Sequence, residues 1–357
     1  MFIKILQKIS LSFTKYLIYL FVLSISAVLV ITGCSDGTVS SNYNIDLPRF
    51  NWRTVNLNYN NFSQLWANDT GNIYLLDHST PNLYKLSGGN ITNYYIGDNY
   101  LHKLSGIGNQ PVIFALSDLN ELKFIFWNGS PLEIPTGLYI NDTVGNIFRG
   151  CVTENLGAWI CSQSGIVSYN NGSIKYYFLD EPFFIPDKIF KTNQNTIRIT
   201  GESINRQLMF ELQDTTFVKI FDYTGNYRLQ VLNTEAYGIY MDENMTGPCF
   251  YTISVNNFIE NFCINTNIPI SFGSFISGAS FSDILIPVYS PALFNELSSF
   301  GILHWNGNKF SREFEFDIKQ PGIGNGIFNT YAIDENNFLI LEGEYPVIKL
   351  YIGSRKQ

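Results

Sequence analysis

Few residues of this chain have the types and spacing that acid–base chemistry requires. The three histidines, His78, His102 and His304, each stand alone in or beside a short apolar run. A general acid or base must lie within hydrogen-bonding distance of the proton it transfers, and no HExxH, GxSxG or P-loop pattern places other catalytic groups beside a histidine. An isolated strand histidine is more often structural than catalytic, so we predict no catalytic residue.

Carboxylates could support a second chemistry, the hydrolysis of glycosides. Asp180, Glu181 and Asp283 are candidates, provided that two of them lie about 5–10 Å apart beside an opening. Residues 67–74 resemble one loose copy of the Asp-box turn of sialidases, but the arginine-containing motif of that family is not found near it. We interpret this segment as an ordinary turn with Asp and Gly. A glycan-binding protein or carbohydrate-active enzyme remains the alternative hypothesis.

No metal or cofactor site is predicted. Residues 242–244 and 334–337 contain acidic and amide oxygens, but the order of ligands in a calcium-binding loop is absent. Residues 106–108 and 322–326 are rich in glycine, but no helix follows that could present its N-terminus to a phosphate. All four segments are interpreted as turns.

Four of the five cysteines form two pairs along the chain. Cys151 and Cys161 flank a predicted turn, and so do Cys249 and Cys263. An even number of cysteines in an oxidising compartment favours disulfides. Four cysteines allow three pairings, and we favour 151–161 and 249–263 because each pair lies across a predicted hairpin. The alternative is that these thiols are free and buried.

The N-terminal segment has the pattern of a signal peptide. Residues 1–15 contain Lys4, Lys8 and Lys15 and no acidic residue, and residues 16–31 form an apolar run. As a helix rising about 1.5 Å per residue, that run spans roughly 24 Å, which is short for a hydrocarbon core of ~30 Å. A cleaved signal peptide fits this length well, and an uncleaved anchor helix is the alternative.

The sequence Ile31-Thr32-Gly33-Cys34 follows at once and resembles the lipobox of bacterial lipoproteins. The resemblance implies that residues 1–33 are cleaved and that Cys34 carries diacylglycerol and a further acyl chain such as palmitate. Several acyl chains anchor a protein stably, whereas one does not. Ser35 resembles the residue of lipoproteins sorted to the outer membrane. The predicted location is therefore the cell envelope, with a lipid anchor in the outer membrane.

The composition of the chain restricts its partners. Loss of three lysines with the signal peptide changes the formal net charge from −8 to −11. Nucleic acid and bare anionic lipid require a basic patch, so neither is a predicted partner. Charged residues amount to only 15% of the chain, and the 22 Tyr and 29 Phe favour strands over helices.

From residue 50 onward, short apolar runs alternate with turns, and no helical stripe is present. An Asn-Gly or similar turn recurs at 128–129, 171–172, 214–215, 256–257 and 306–307. Most steps are about 43 residues, the size of a four-stranded propeller blade. We predict an all-β fold, with residues 50–357 forming one seven-bladed β-propeller of four-stranded antiparallel blades after a tether of residues 34–49. Six or eight blades and a pair of β-sandwiches are the alternatives.

Two segments, residues 158–172 and 301–310, resemble the two-component-regulator-propeller repeat. The resemblance implies the same propeller fold. The last repeat contains only three strands, and residues 52–57 can supply the missing outer strand. We therefore predict that the two ends of the domain close the ring together, which leaves no free strand edge at the junction.

Aromatic residues concentrate in the loops that join blades and in those between second and third strands, which share one face of a propeller. Exposed aromatic residues are enriched where proteins dock; the alternative is that these rings pack back onto the blades. We predict a monomeric, non-enzymatic propeller that binds envelope proteins, with glycan binding or a sensor role as alternatives. The predicted binding face consists of Tyr100, Tyr139, Phe183, Phe184, Tyr223, Tyr227 and Phe294.

Overall fold

The structure is a computed structural model, and its described residues form strands and connections without an α-helix. They lie within Ser41–Gln357, one of the two compact units into which the chain divides. None of them forms a helix with the length and apolarity that a membrane crossing needs. The predicted signal peptide and Cys34 lie outside them. The described ranges are 48–57, 62–77, 80–140, 148–153, 157–225, 227–232, 234–241, 248–254, 257–263, 271–272, 276–289, 299–317, 326–344 and 347–356.

The strands form seven antiparallel sheets, which are the blades. Blade 1 consists of β2 (Phe62–Asp69), β3 (Asn72–Asp77), β4 (Asn82–Ser87) and β5 (Asn90–Tyr95). Blade 2 consists of β6 (Asn99–Ile107), β7 (Gln110–Ser117), β8 (Glu121–Trp127) and β9 (Pro131–Tyr139). Blade 3 consists of β10 (Phe148–Thr153), β11 (Gly157–Ser162), β12 (Gly165–Asn170) and β13 (Ser173–Tyr177). Blade 4 consists of β14 (Ile185–Lys191), β15 (Ile197–Ser203), β16 (Arg206–Gln213) and β17 (Thr216–Thr224).

The remaining three blades complete the ring. Blade 5 consists of β18 (Tyr227–Leu232), β19 (Glu235–Met241), β20 (Pro248–Ser254) and β21 (Asn257–Cys263). Blade 6 consists of β22 (Ser271–Phe272), β23 (Ser277–Ser280), β24 (Asp283–Tyr289), β25 (Ser299–Trp305) and β26 (Phe310–Asp317). Blade 7 consists of β27 (Gly326–Ala332), β28 (Asn337–Glu344), β29 (Val347–Arg355) and β1 (Phe50–Leu57).

The first strands of the blades line the centre of the ring. Contacts join β2 to β6, β6 to β10, β10 to β14, and β27 to both β2 and β23. Within each sheet, the following strands then lie progressively farther from the centre. This arrangement is a seven-bladed β-propeller, which confirms the predicted fold class and excludes the alternatives of six or eight blades and of β-sandwiches.

Blade 7 is closed by both ends of the domain. Strand β1 pairs antiparallel with β29, from Phe50 opposite Arg355 to Leu57 opposite Ile348. The predicted closure is therefore confirmed. Blade 6 departs from the expected four strands, because β22 and β23 both pair with β24 and so divide its first strand in two. The sequence has an insertion at 290–299, long enough for a helical turn, and this segment lies almost entirely outside the described residues.

The apolar runs of the sequence become the second strands of the blades. In β3 and β7, residues on both faces are buried, because each blade packs between two neighbours. The outermost strand β5, in contrast, has no buried residue. A strand enclosed on both faces needs a continuous apolar run, which explains why the sequence shows such runs once per blade.

Neighbouring blades also pack by placing an aromatic ring against a glycine. Trp66 of blade 1 lies over Gly106 of blade 2, and a Cβ atom at Gly106 would stand 2.3–2.6 Å from three atoms of the Trp66 ring. Phe114 of blade 2 lies over Gly150 of blade 3 in the same way. A methyl group at these positions has no space, although the backbone there suits any residue.

Substitution G106A should therefore lower the free energy of unfolding by about 1–3 kcal/mol, the usual cost of an overpacked interface. Chemical denaturation of the wild type and the variant measures this difference. Substitution W66L removes the ring atoms that the new methyl group meets, so G106A should cost less in a W66L background. Equal costs in the two backgrounds would contradict the packing described above.

Candidate functional site

The ends of the strands define two faces of the ring. We call one the blade-joining face, because it contains the loops between blades and those between second and third strands. Residues 96–98, 118–120 and 178–184 lie there. The opposite end contains the remaining turns, such as residues 70–71 and 88–89, and we call it the hairpin face.

Exposed apolar side chains concentrate on the blade-joining face. Phe183 is 75% exposed and Tyr100 is 62% exposed, values typical of side chains with little packing around them. The other exposed large apolar residues among the described side chains lie on outermost strands and are Leu132, Tyr176, Val218 and Ile259. The exposed set on the blade-joining face consists of Tyr95, Tyr100, Leu119, Tyr139, Phe178, Phe183 and Ile204.

The predicted binding residues have different environments. Tyr100, Tyr139 and Phe183 are exposed on the blade-joining face, which a binding role requires. Tyr223 is half-buried, because its ring stacks on Phe221 with the ring centroids 6.3 Å apart. The side chain of Tyr227 and the whole of Phe294 lie outside the described residues.

Phe184 was wrongly assigned to the binding face. Its side chain is only 6% exposed and packs in the core, where its ring meets Phe210 at a centroid distance of 5.3 Å. Phe183 has a φ of 58°, in the left-handed region. This conformation turns the chain so that Phe183 faces solvent and Phe184 faces the core, and a sequence pattern of two adjacent aromatic residues does not reveal it.

Basic side chains on the innermost strands form a second feature, which the sequence analysis missed. Lys103 lies on β6, Arg149 on β10, Lys188 on β14 and Arg228 on β18, so four consecutive blades each contribute one. We call these four residues the basic cluster. The signal in the sequence is a basic residue within the first five positions of each of these first strands, and it becomes visible only when the innermost strands are known.

Burial affects the pKa values of the lysines in the basic cluster. Burial, together with the nearby charges of Lys188 and Arg149, lowers the pKa of Lys103 to about 8, whereas Asp187 opposes the shift. Burial also lowers the pKa of Lys188, although its side chain is exposed to solvent. Water therefore reaches the Lys188 side chain although protein surrounds it, and Lys188 lies on one of the strands that line the centre of the ring.

The cluster retains unused hydrogen-bond donors. Arg149 donates from Nε to the backbone oxygen of Asp187 at 2.6 Å and from Nη1 to that of Phe148 at 3.1 Å. Lys188 donates to the backbone oxygen of Val231 at 2.9 Å, which uses one of its three protons. Lys103 makes no hydrogen bond or ion pair with any side chain or backbone group in the described part of the chain.

The candidate glycosidase carboxylates do not meet at the centre of the ring. Glu181 contacts Arg206 at 3.2 Å and Lys219 at 3.4 Å, on the third and outermost strands of blade 4. Arg206 also binds Asp222, and this hydrogen bond lowers the pKa of Asp222 to about 2. Asp180 is exposed, and Asp283 lies buried on the second strand of blade 6. The geometry that the glycosidase alternative needed is therefore not observed for these residues.

One buried group superficially resembles a hydrolase triad. His304 Nε2 lies 2.5 Å from Asp283 Oδ1, and His304 Nδ1 lies 3.5 Å from Ser311 Oγ. Both His304 and Ser311 are fully buried, and Ser311 Oγ donates to Glu313 at 2.6 Å. No substrate reaches a serine in this position, so the group is structural; we call these four residues the closure cluster, because they join blade 6 to β1.

The predicted disulfide between Cys151 and Cys161 is wrong, because both thiols are free. In the hairpin, Cys151 lies opposite Trp159, and Cys161 lies opposite Arg149. The two cysteines are therefore diagonal neighbours about 7–8 Å apart, which exceeds the usual span of a disulfide. Burial raises the pKa of Cys151 to about 12 and also raises that of Cys161, so both thiols are unreactive.

The second pair differs, since a bulge at Phe250 and Tyr251 brings Cys249 directly opposite Cys263. The disulfide 249–263 remains a prediction, because the side chain of Cys263 lies outside the described residues. Alkylation of the unfolded, unreduced protein should label Cys151 and Cys161 and leave this pair unlabelled, as peptide mass spectrometry would show. A reduced sample is the control for complete labelling. Labelling of Cys249 without reductant would refute the disulfide.

Two acidic turns are stabilised by their own side chains. Asp69 accepts hydrogen bonds from the backbone of Gly71 at 2.7 Å and from the side chain of Asn72. Asp334 accepts equivalent bonds from Asn336 and Asn337. These are local turn interactions of Asp, as the sequence indicated. Within the described ranges, no three His, Cys, Asp or Glu side chains form a group that could bind a metal ion.

Comparison with solved structures supports the fold. The chain is similar to YCF48 from Cyanidioschyzon merolae, with 10% identity, a TM-score of 0.57, and coverage of 84% of this chain and 98% of that one. YCF48 bound to D1 peptide is similar at 9% identity and a TM-score of 0.57, covering 88% and 98%. Virginiamycin B lyase from Staphylococcus aureus matches at 12% identity and a TM-score of 0.55, covering 86% and 100%.

These similarities show the fold alone, because all the identities are below 25%. No model of a protein family matches the chain, and the search of curated proteins found no match. The chain is therefore a seven-bladed β-propeller with exposed aromatic residues on one face and a basic cluster on its innermost strands.

Proposed function

We propose that this chain is a lipid-anchored protein of the bacterial cell envelope that binds protein partners through its blade-joining face and catalyses no reaction. The observation that carries the proposal is the concentration of exposed aromatic and aliphatic side chains on that face. Large apolar residues are costly to leave in water, and clusters of them mark surfaces where other proteins dock. A ring of seven blades holds these loops in fixed positions, which reduces the ordering cost of binding.

Propellers support both binding and catalysis, so the side chains at the site, and not the fold, must distinguish the two functions. YCF48 has been solved with a bound D1 peptide, and virginiamycin B lyase is an enzyme. In this chain, the described histidines give no accessible acid–base pair: His304 is buried in the closure cluster, and His102 packs against Phe148. These contacts favour binding over catalysis.

The envelope location rests on the sequence. The lipobox at residues 31–34 predicts lipid on Cys34, and Ser35 predicts the outer membrane as the destination. Residues 35–49 would then separate the propeller from the bilayer. A protein attached in this way meets its partners close to the membrane surface.

Affinity purification of the full-length protein after crosslinking in cells tests the proposal. The variant Y100S/Y139S/F183S removes three exposed rings of the blade-joining face, and V218S/I259S is the matched control because it removes exposed apolar residues from outermost strands. We expect an envelope protein that the wild type and the control recover and the first variant loses. Equal recovery by all three proteins, or binding to polysaccharide without any protein partner, would overturn the proposal.

A further inference from the structure

The charge of the innermost strands is opposite to that of the chain. The chain has a formal net charge of −8. The first strands of the seven blades nevertheless contain Lys103, Arg149, Lys188, Lys191 and Arg228 against only Asp69 and Asp187. An acidic protein that places basic side chains around its centre attracts negative groups to that position and repels them elsewhere.

The basic cluster has donors available for such a group. Lys103 has all three protons free of partners in the described part of the chain, and Lys188 has two beyond its bond to Val231. Arg149 has already used its Nε proton and one Nη1 proton for backbone oxygens, so its Nε/Nη2 edge cannot offer both nitrogens to one phosphate. The arrangement provides separate single charges on adjacent strands, which suits several spaced carboxylates better than one compact phosphate.

The exposed rings lie beside the basic cluster. Tyr100 lies three residues before Lys103 on β6, and Phe183 lies two residues before the start of β14, which carries Lys188. A ligand that reaches both features needs apolar side chains and carboxylates on one flexible chain. An extended peptide segment has this combination, whereas a polysaccharide without carboxylates or a free anion does not.

We propose that the basic cluster binds an acidic peptide segment of the protein partner, with aspartate or glutamate carboxylates at Lys103, Lys188 and Arg149. This inference rests on the proposed function and names the chemistry of the partner. Among the described residues, Asp187 is the carboxylate whose charge acts on Lys103 and Lys188, and it reduces the positive charge of the cluster. The low pKa of Lys103 agrees, because burial and the charges of Lys188 and Arg149 disfavour its charged form more than Asp187 favours it, and a bound carboxylate would add to the effect of Asp187.

The probe is a fluorescein-labelled hexaglutamate peptide, with hexaglutamine as the uncharged control, titrated against the full-length protein in detergent. The variants are K103E/K188E and the neutral K103Q/K188Q, and R53E/K175E is the matched control with the same change in charge on outermost strands. We expect K103E/K188E to weaken probe binding at least tenfold, K103Q/K188Q to weaken it less, and R53E/K175E to leave it within about twofold. Circular dichroism confirms that each variant is folded.

The pH provides an independent readout. Lys103 loses its proton as the pH rises through about 8, so probe affinity should fall between pH 7 and pH 9, to an extent that the neighbouring charges of Arg149, Asp187 and Lys188 modify. K103Q/K188Q lacks this lysine and should show a flatter profile. Equal profiles for the wild type and K103Q/K188Q would overturn the assignment of Lys103.

Several results would overturn the inference. These are equal binding of hexaglutamine, equal affinity of wild type and K103E/K188E, and displacement of the probe by inorganic phosphate at millimolar concentration. Its failure is distinguishable from failure of the proposed function. If K103E/K188E still recovers the partner in cells and Y100S/Y139S/F183S does not, the basic cluster is not the recognition site, while the blade-joining face remains one.

Discussion

Replacing Glu313 by alanine is expected to lower the free energy of unfolding by about 3–5 kcal/mol, the usual result of removing one partner from a buried charged network. The Glu313 carboxylate accepts hydrogen bonds from the backbone of Arg49 at 2.9 Å and of Phe50 at 3.1 Å. It also accepts bonds from Ser311 Oγ at 2.6 Å and Trp52 Nε1 at 3.4 Å. Alanine would leave a buried N–H of β1 without an acceptor.

The effect should be large because these bonds hold the closure of the ring. Strand β1 is far from β26 in the chain, and Arg355 of β29 binds Asp283 of blade 6 at 2.8 Å in the same region. Denaturation in guanidinium, followed by tryptophan fluorescence, measures the loss. The control is E335A, which removes an exposed carboxylate of blade 7. A loss for E313A no greater than that for E335A would show that the closure cluster does not hold β1.

Substitution C34S is expected to move the protein from the membrane fraction to the soluble fraction. Without the thiol no diacylglycerol can be attached, and each acyl chain contributes about 0.8 kcal/mol for every buried CH₂ group. Several chains together anchor a protein almost completely, so their loss should release most of it. Fractionation of cells followed by immunoblotting measures the distribution, and intact mass spectrometry of the wild type measures the lipid directly.

The control for this prediction is S35A, which leaves the acceptor cysteine in place. The S35A variant should remain in the membrane fraction, like the wild type. Persistence of C34S in that fraction after washing with carbonate would contradict the lipoprotein assignment, and it would favour the uncleaved anchor helix.

Much of the fold could be predicted because it is built from a repeated local unit. The turns at Asn128-Gly129 and Asn171-Gly172 recur at the spacing of a blade, and each blade needs one apolar strand that is buried on both faces. The closure was predictable for a related reason: the last repeat lacked an outer strand, and residues 52–57 preceded the first. Both arguments use only local pattern and the cost of a free edge.

The details that sequence reasoning missed depend on register and on position in the ring. Phe183 and Phe184 are chemically alike, and only the left-handed backbone at Phe183 separates a surface residue from a core residue. In its hairpin, Cys151 pairs with Trp159, which lies two residues before Cys161. The sequence spacing of the two cysteines does not reveal this offset. Lys103 looks like any surface lysine until β6 is known to line the centre.

The fold and the register of its strands contribute differently to function. The fold places loops with exposed rings on one face, and four consecutive innermost strands carry basic side chains. A partner with acidic and apolar residues on one segment would contact both features together. The proposed function thus rests on the blade-joining face, and its chemical specificity rests on the basic cluster.

The most direct test is site-specific photocrosslinking in living cells from single positions on the two faces. A photoreactive phenylalanine analogue replaces Phe183 or Tyr139 on the blade-joining face, and Asn90 on the hairpin face serves as the control. The account predicts that Phe183 and Tyr139 crosslink to the same envelope protein and that Asn90 does not. Crosslinks to that protein from Asn90 alone, or no protein crosslink from Phe183 and Tyr139, would contradict it.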